Sequence, residues 1–166
     1  MPSFAEGTGE FGLSTANNSI GIGVNGEFVS KLKDMGTDRS SSWLVDAVYF
    51  HKGYSSFGTD FSTNAIEVQA GWRFAGKAGD KGTYNLQVAA GLSRASASLG
   101  GITQDICDSV GVSCSASSTD FVITPAAGYT YWFGGNKGIK AQLNIPIAGG
   151  NNFTRFDVDF VVKAGK

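Results

Sequence analysis

The sequence NAIEVQAGWRFAGKAGDKGTYNLQVAAGLS, residues 64 to 93, decides the fold of the chain. Its first half places on one face Ile66, Val68, Ala70, Trp72 and Phe74, and on the other Glu67, Gln69, Gly71 and Arg73. Its second half repeats this pattern, with an apolar face that consists of Tyr84, Leu86, Val88, Ala90 and Leu92. A period of two is typical of a β-strand with two chemically different sides. Because GKAGDKG between the halves favours a reversing turn, the stretch predicts an antiparallel hairpin.

The same alternation extends over most of the chain and predicts about eight strands. Their approximate ranges are 4–14, 19–31, 43–52, 64–74, 84–93, 120–133, 139–147 and 155–162. No segment has the pattern of a helix or a linker, so we expect a single domain over residues 1–166. Pro125 and Pro146 fall inside predicted strands, and each predicts a bulge or a local break because proline cannot donate to a ladder.

Composition excludes several classes of function. The 24 glycines, 12 phenylalanines and 16% charged residues favour a β-rich fold, and no window reaches the roughly 18 consecutive apolar residues of a transmembrane helix. A net charge of −1 and a pI near 5.7 give no basic surface for nucleic acid. With one His and two Cys, the chain is poorly supplied for a metal site, and we predict no cofactor.

Eight antiparallel strands of this length predict an up-and-down barrel, which removes open sheet edges by closure. An eight-stranded barrel is just wide enough for side chains to fill it, and the Trp, Tyr, Phe, Ile and Leu of the apolar face would overfill it. The small and polar face fits that interior. The fold class predicted is therefore all-β, an eight-stranded antiparallel up-and-down transmembrane β-barrel. The alternative, with the apolar face inward, is a soluble barrel that carries a hydrophobic ligand.

Charged residues on the small and polar face are predicted to lie in the barrel interior. Both signs occur among them, as mutual pairing would require. They either plug the lumen, which is the interpretation we favour, or line a narrow polar channel. These residues are Glu6, Glu10, Glu27, Lys31, Asp46, Lys52, Glu67, Arg73, Lys140, Arg155, Asp157 and Asp159.

A group of aromatic residues predicts a membrane interface at one end of the barrel. They lie where strands meet the connections 32–42, 75–83 and 134–138, which an up-and-down topology places at the same end. Amphipathic rings prefer the boundary between lipid and water. The alternative is that they cap a soluble core. The residues are Trp43, Trp72, Phe74, Tyr84, Tyr131 and Phe133.

Strand patterns such as YNLQVAAGLSRAS and FVITPAAGYTYWF, in a chain of 166 residues, resemble the small eight-stranded outer-membrane barrels of Gram-negative bacteria, the opacity-protein and OmpA-like transmembrane group. The resemblance implies a bacterial outer-membrane location, and membrane lipid and lipopolysaccharide as surroundings. It implies that the termini and tight turns face the periplasm. It also implies export, so that a sequence without a signal peptide would be a mature form with an added Met. Members usually end on an aromatic residue, whereas this chain ends VVKAGK.

Cys107 and Cys114 lie in the longest predicted loop, residues 98–119, on the side that the resemblance places outside the cell. An oxidising compartment favours a disulfide between them, which would contribute about 2.5 kcal/mol in the chain-entropy account. The alternative is two free thiols in a cytosolic protein. This loop is the predicted contact for an extracellular partner.

Catalytic residues are scarce. His51 lies in sequence near Ser55, Ser56 and Asp60, which would suit a Ser/His hydrolase that acts on lipid. HKGYSSF does not match the motif of outer-membrane lipid A deacylases, so we predict no enzymatic activity. The sequence therefore predicts a monomeric outer-membrane barrel with a structural or surface-interaction role. A narrow pore for small polar solutes is the first alternative, and the soluble carrier is the second.

Overall fold

A computed structural model of the chain describes residues 7–16, 22–34, 39–111, 113–134, 136–147 and 154–164. Within these residues eight strands and one helix form. In chain order they are β1 (Gly7–Ala16), β2 (Ile22–Asp34), β3 (Arg39–Ser56), β4 (Thr59–Lys77), β5 (Gly82–Gly101), α1 (Ile102–Val110), β6 (Ser115–Gly134), β7 (Lys137–Asn144) and β8 (Arg155–Ala164).

The strands close into an antiparallel barrel in sequence order, which confirms the predicted architecture. Closure comes from pairing of β1 with β8, from Gly7 opposite Ala164 to Ala16 opposite Arg155. The start of β1, the end of β8 and the connections 35–38, 78–81 and 135–136 therefore belong to one end of the barrel, here the turn end. The connections 17–21, 57–58, 102–114 and 145–154 lie at the other, here the loop end.

The alternation of the sequence becomes an alternation of burial. In β7, residues Lys137 to Asn144 are exposed and buried in strict turn. Large apolar residues such as Leu86 and Val88 point outward, whereas Asn85 and Gln87 are buried in the interior. Because successive side chains in a strand point to opposite faces, a single register gives the barrel a polar interior and an apolar wall.

Strand length differs around the barrel. Strands β3 to β6 contain 18, 19, 20 and 20 residues, and β7 contains 8. The extra residues lie at the loop end, since in the described part of the chain pairing between β2 and β3 begins at Ile22 opposite His51. Four neighbouring strands thus continue past the others as a sheet that carries the longest connection at its tip.

Two local predictions are wrong. A helix, α1, forms inside the segment 98–119 that was predicted to be a loop, between Gly101 and Gly111, which both have positive φ. Pro125 causes no bulge, because β5 and β6 pair without a register shift at Val88 opposite Pro125. Its carbonyl oxygen accepts from Ile145 N, on the β7 side, so the missing donor faces away from the β5 ladder. Near Pro146 the strand β7 ends, at Asn144, although Ile145 N and Ile147 N still donate to Pro125 O and Ile123 O of the neighbouring chain segment.

No helix in the described ranges is long and apolar enough to cross a membrane.

Candidate functional site

The barrel interior contains most of the charged residues that the sequence pointed to, and the structure buries nine of them. They come from six of the eight strands, so closure of the barrel is what brings them together. Their exposed fractions are 6% or less. The buried residues are Glu10, Glu27, Asp46, Glu67, Arg73, Lys140, Arg155, Asp157 and Asp159.

Arg73 and Lys140 form one cluster with three carboxylates, here the Arg73–Lys140 cluster. Arg73 Nη1 lies 2.8 Å from Glu10 Oε1, and the same guanidinium pairs with Glu27. Lys140 pairs with Glu10 and lies 3.3 Å from Glu27 Oε1 and 2.9 Å from Asp159 Oδ2. Since Arg73 is on β4 and Glu10 is on β1, these side chains meet across the barrel rather than along one sheet edge.

Arg155 forms a second cluster with three other carboxylates, here the Arg155 cluster. Its guanidinium pairs with Asp46, lies 2.9 Å from Glu67 Oε2 and lies 3.2 Å from Asp157 Oδ2. Arg155 is 2% exposed, so these interactions form away from bulk water. One cation therefore balances part of the charge of three buried carboxylates.

Side-chain amides join the two clusters in a continuous chain of hydrogen bonds. From Arg73 Nε the chain passes through Gln87, Asn85, Gln142 and Asn144 to Asp157 Oδ2, with distances of 2.8, 3.5, 3.0, 2.9 and 2.7 Å. Sequence reasoning placed these amides on the polar face but did not identify them as site residues. Their position on the same strand faces as the charges was the available signal.

Three further residues were predicted to lie in the interior. Glu6 lies outside the described residues. Lys31 belongs to β2, where its backbone pairs with Ser42, but the structure does not describe its side chain. Lys52 is half-buried in β3, beyond Phe50 toward the loop end.

The interior also contains apolar residues on the face of Asp46. Leu44, Val48 and Phe50 are 0%, 2% and 6% exposed, and they belong to two small apolar clusters. Side chains of β3 therefore alternate in direction, but apolar residues lie on both of its faces. The interior is thus not a continuous polar channel along its β3 wall.

The six predicted interface aromatics lie near the turn end. Trp43 is half-buried, and the other five are between 40% and 52% exposed on the outer wall. Trp72 Nε1 donates to Ser41 Oγ at 2.6 Å. Sequence reasoning did not include Trp132, whose Nε1 donates to Thr83 Oγ1 at 2.8 Å and whose ring lies 4.0 Å from Lys163 Nζ.

His51 is not bonded to a hydroxyl group in the described part of the chain. Its Nδ1 donates to Asn64 Oδ1 at 2.7 Å, and the same oxygen accepts from Tyr49 OH at 2.9 Å. Ser55 Oγ bonds instead to Asp60. The described ranges also contain no group of three His, Cys, Asp or Glu placed to hold a metal ion.

The predicted disulfide between Cys107 and Cys114 is present, with 6.0 Å between the Cα atoms. It joins the middle of α1 to the residue before β6. A backbone hydrogen bond from Leu99 N to Cys114 O, 3.0 Å long, attaches the same point to β5. The longest connection is therefore held to the barrel at its second half.

Comparison with solved structures identifies the class of fold. Ail, the attachment invasion locus protein of Yersinia pestis, aligns with a TM-score of 0.64 and 14% identity over 96% of this chain and 98% of Ail. Neisserial surface protein A (NspA) aligns with a TM-score of 0.56 and 15% identity over 97% and 95% of the two chains. The chain has the fold of small eight-stranded outer-membrane barrels. No family model and no curated protein matches it.

The shared fold covers proteins with different activities. The outer membrane enzyme PagL also aligns, with a TM-score of 0.51 and 11% identity over 96% of this chain and 99% of PagL. Ail has also been crystallised with the heparin analogue sucrose octasulfate. At these identities the likeness concerns the fold, so function has to be argued from the residues of this chain.

Proposed function

We propose that the chain is an integral protein of the bacterial outer membrane, present as a monomeric barrel. The outer wall is the observation that carries this proposal. Val68, Leu86, Val88 and Leu92 lie in mid-strand and are still 51%, 56%, 49% and 58% exposed. A barrel in water would turn such residues inward, whereas lipid solvates them.

The height of this apolar band suits a bilayer. On β5 the outward apolar residues run from Tyr84 to Leu92, and Arg94 and Ser96 follow on the same face. Eight steps of about 3.3 Å at a tilt near 40° span about 20 Å along the barrel axis. Outer-membrane barrels carry an apolar band about 25 Å tall.

We propose that the Arg73–Lys140 and Arg155 clusters plug the lumen. The charges meet across the barrel, and the amide chain occupies the space between them. An interior as narrow as that of eight strands leaves little room beyond such side chains. The role of the barrel would then be structural, and contact with other molecules would take place at the loop end.

The loop end is the proposed contact surface for lipopolysaccharide and for an extracellular partner. There β3 to β6 extend past the other strands and carry α1, which the disulfide attaches to the start of β6. Segment 98–119, which includes α1, provides the exposed apolar residues Ile106 and Val110 beside Asp105 and Asp108. A rigid, protruding surface of this kind suits recognition of another molecule.

Refolding with and without detergent tests the proposal. On a denaturing gel, an unboiled sample refolded in detergent or lipid should run at a different position from a boiled one, because the folded barrel resists the denaturant. The same chain in plain buffer should give only the boiled position. A stable monomer without detergent would overturn the membrane proposal and favour a soluble carrier.

A narrow pore is the second candidate, since some buried acceptors have no hydrogen-bond partner among the described residues. Gln69 Oε1 and Asp157 Oδ1 are examples. Such acceptors suit water or a passing cation. The buried charges described comprise six carboxylates and three cations, so a conducting lumen would select cations. Recording of ion current in a planar bilayer separates the two candidates. Absence of conductance supports a plug, and cation-selective conductance steps support a pore.

We also propose that the chain is not an enzyme. His51 Nδ1 donates to Asn64 Oδ1, which also accepts from Tyr49 OH, and no hydroxyl group of the described residues is bonded to the imidazole ring. Without a nucleophile within reach of the base, acyl transfer has no starting geometry. Release of fatty acid from lipopolysaccharide by the folded barrel, lost in His51→Ala, would contradict this proposal.

A further inference from the structure

Exposed cations gather at the turn end of the barrel. Arg39 begins β3, Lys77 ends β4, Lys81 lies in the connection to β5 and Lys137 begins β7, and all four are exposed. Lys163, near the end of β8, is exposed as well. Asp80 is the exposed acidic residue beside them in the described ranges.

The loop end has the opposite balance. Its exposed acidic residues in the described ranges are Asp60, Asp105 and Asp108, and the exposed cation is Arg94. Among the described residues, exposed charge is thus separated along the long axis of the barrel, with positive charge at the turn end. A net charge of −1 for the whole chain conceals this separation.

Two of these cations lie at the margin of the apolar band. Arg39 has the same outward direction as Trp43 on β3, and Lys137 precedes the outward-facing Ile139 on β7. Lys81 lies beside Trp132, because its carbonyl oxygen accepts from Trp132 N at 2.8 Å. Long basic side chains in such positions extend their stems over apolar surface and place the charge at the headgroups.

The charges of Arg39, Lys81 and Lys137 are available to an external anion. None of the three forms an ion pair within the part of the chain that the structure describes. This contrasts with Arg73, Lys140 and Arg155, each of which pairs with two or more buried carboxylates.

We propose that the turn end binds the headgroups of anionic phospholipids in the adjoining leaflet, with Arg39, Lys81 and Lys137 as the contacts to phosphate. The inference rests on the proposed membrane location. Charge complementarity identifies the occupant, because these cations lie where the lipid-facing wall ends. The acidic loop end would not attract the same lipids.

The tryptophans of the chain provide the measurement. Trp43, Trp72 and Trp132 are its three tryptophans, and all lie near the turn end. The protein is refolded into phosphatidylcholine vesicles that contain a fixed fraction of brominated phosphatidylglycerol or brominated phosphatidylcholine, and quenching of tryptophan fluorescence gives the relative affinity of the two lipids. We expect stronger quenching by the brominated phosphatidylglycerol, with a preference that falls at 500 mM NaCl.

Substitutions assign the preference to the turn end. The variant with Arg39→Gln, Lys81→Gln and Lys137→Gln should lose the preference for phosphatidylglycerol. The relative affinity should fall on the order of fivefold for each cation removed. Arg39→Gln alone should lose part of it, whereas Arg94→Gln, an exposed arginine at the loop end, should keep it. Equal quenching by both lipids, or an equal loss in Arg94→Gln, overturns the inference. So does a larger effect of inorganic phosphate than of NaCl at matched ionic strength, which would assign the site to free phosphate.

Failure of this inference is distinguishable from failure of the membrane proposal. Folding into vesicles of phosphatidylcholine alone, followed by mobility on a gel, tests only the proposed membrane location. If the barrel folds there and shows no preference for the anionic lipid, the membrane location stands and the headgroup site is wrong.

Discussion

Arg155 is the interior residue whose loss should cost most. Its guanidinium lies among Asp46, Glu67 and Asp157, and no other cation pairs with these three carboxylates in the described part of the barrel. Removal of one partner from a buried ionic group leaves uncompensated charge in a medium that solvates it poorly.

We therefore expect Arg155→Gln to lower the free energy of unfolding by about 3–5 kcal/mol. Urea titration of the barrel in detergent or lipid, followed by the change in mobility on a gel, measures this loss. Arg94→Gln removes an exposed arginine and serves as the control. Addition of Asp46→Asn to Arg155→Gln should restore part of the stability, and a double variant no better than the single one would contradict the cluster.

Phe57 occupies a backbone conformation that suits other residues better. It has φ 51° at the tip of the β3–β4 hairpin, beside Gly58 at φ 78°, and its side chain is 103% exposed. Two-residue hairpin turns with positive φ at both positions favour Asn followed by Gly, because the short polar side chain of Asn can hydrogen-bond locally in the left-handed conformation and Gly has no Cβ.

Phe57→Asn should thus raise the free energy of unfolding by about 0.5–1 kcal/mol. The same urea titration measures the gain. Phe57→Ala removes the ring and keeps the unfavourable φ, so it should give little or no gain. An increase of equal size in both variants would show that the ring, rather than the backbone, is responsible.

At the scale of elements, α1 depends on its surroundings more than on its own sequence. It has nine residues, no side-chain cap at its N-terminus and no basic residue in its last turn. Isolated helices of this length are marginal in water. The Cys107–Cys114 disulfide and the left-handed Gly111 at its C-terminus therefore hold it in place.

Reduction of the disulfide should open this segment and leave the barrel intact. We expect limited proteolysis to cut residues 102–114 faster after reduction or in Cys107→Ser, while heat-modifiable mobility stays the same. The reason is that strand pairing, not the disulfide, closes the barrel. Loss of the folded gel band on reduction would mean that the disulfide stabilises the barrel as a whole.

At the scale of the whole molecule, the outer wall determines where the protein can reside. Val88 is 49% exposed and lies in the middle of the apolar band, whereas Ser117 is exposed on β6 beyond it, toward the loop end. The two positions differ in their predicted depth in a bilayer, although both face outward.

We expect Val88→Lys to destabilise the barrel in lipid by about 2–4 kcal/mol, and Ser117→Lys to change its stability little. The urea midpoint in vesicles measures both. The cost arises because lipid cannot solvate the ammonium group at mid-depth. Equal midpoints for the two variants would indicate that the wall at Val88 faces water, which contradicts the proposed membrane location.

The sequence by itself determined the strand count, the alternation of side chains within the strand interiors and the order of strands around the barrel. These depend on local alternation, as in 64–74 and 84–93, and on the small volume that eight strands enclose. The charged residues of the polar face could be named for the same reason. The ends of β3 to β6 could not be predicted, since these strands continue into Ser- and Gly-rich segments. There, successive residues do not alternate between apolar and polar.

Only the tertiary structure decided which charges meet. Arg73 and Glu10 are 63 residues apart in sequence, and Arg155 and Glu67 are 88 apart, so their pairing depends on register and closure. The same holds for the amide chain and for the separation of charge between the two ends. Each of these arises from distant parts of the chain brought together, and a pattern of period two describes only neighbours.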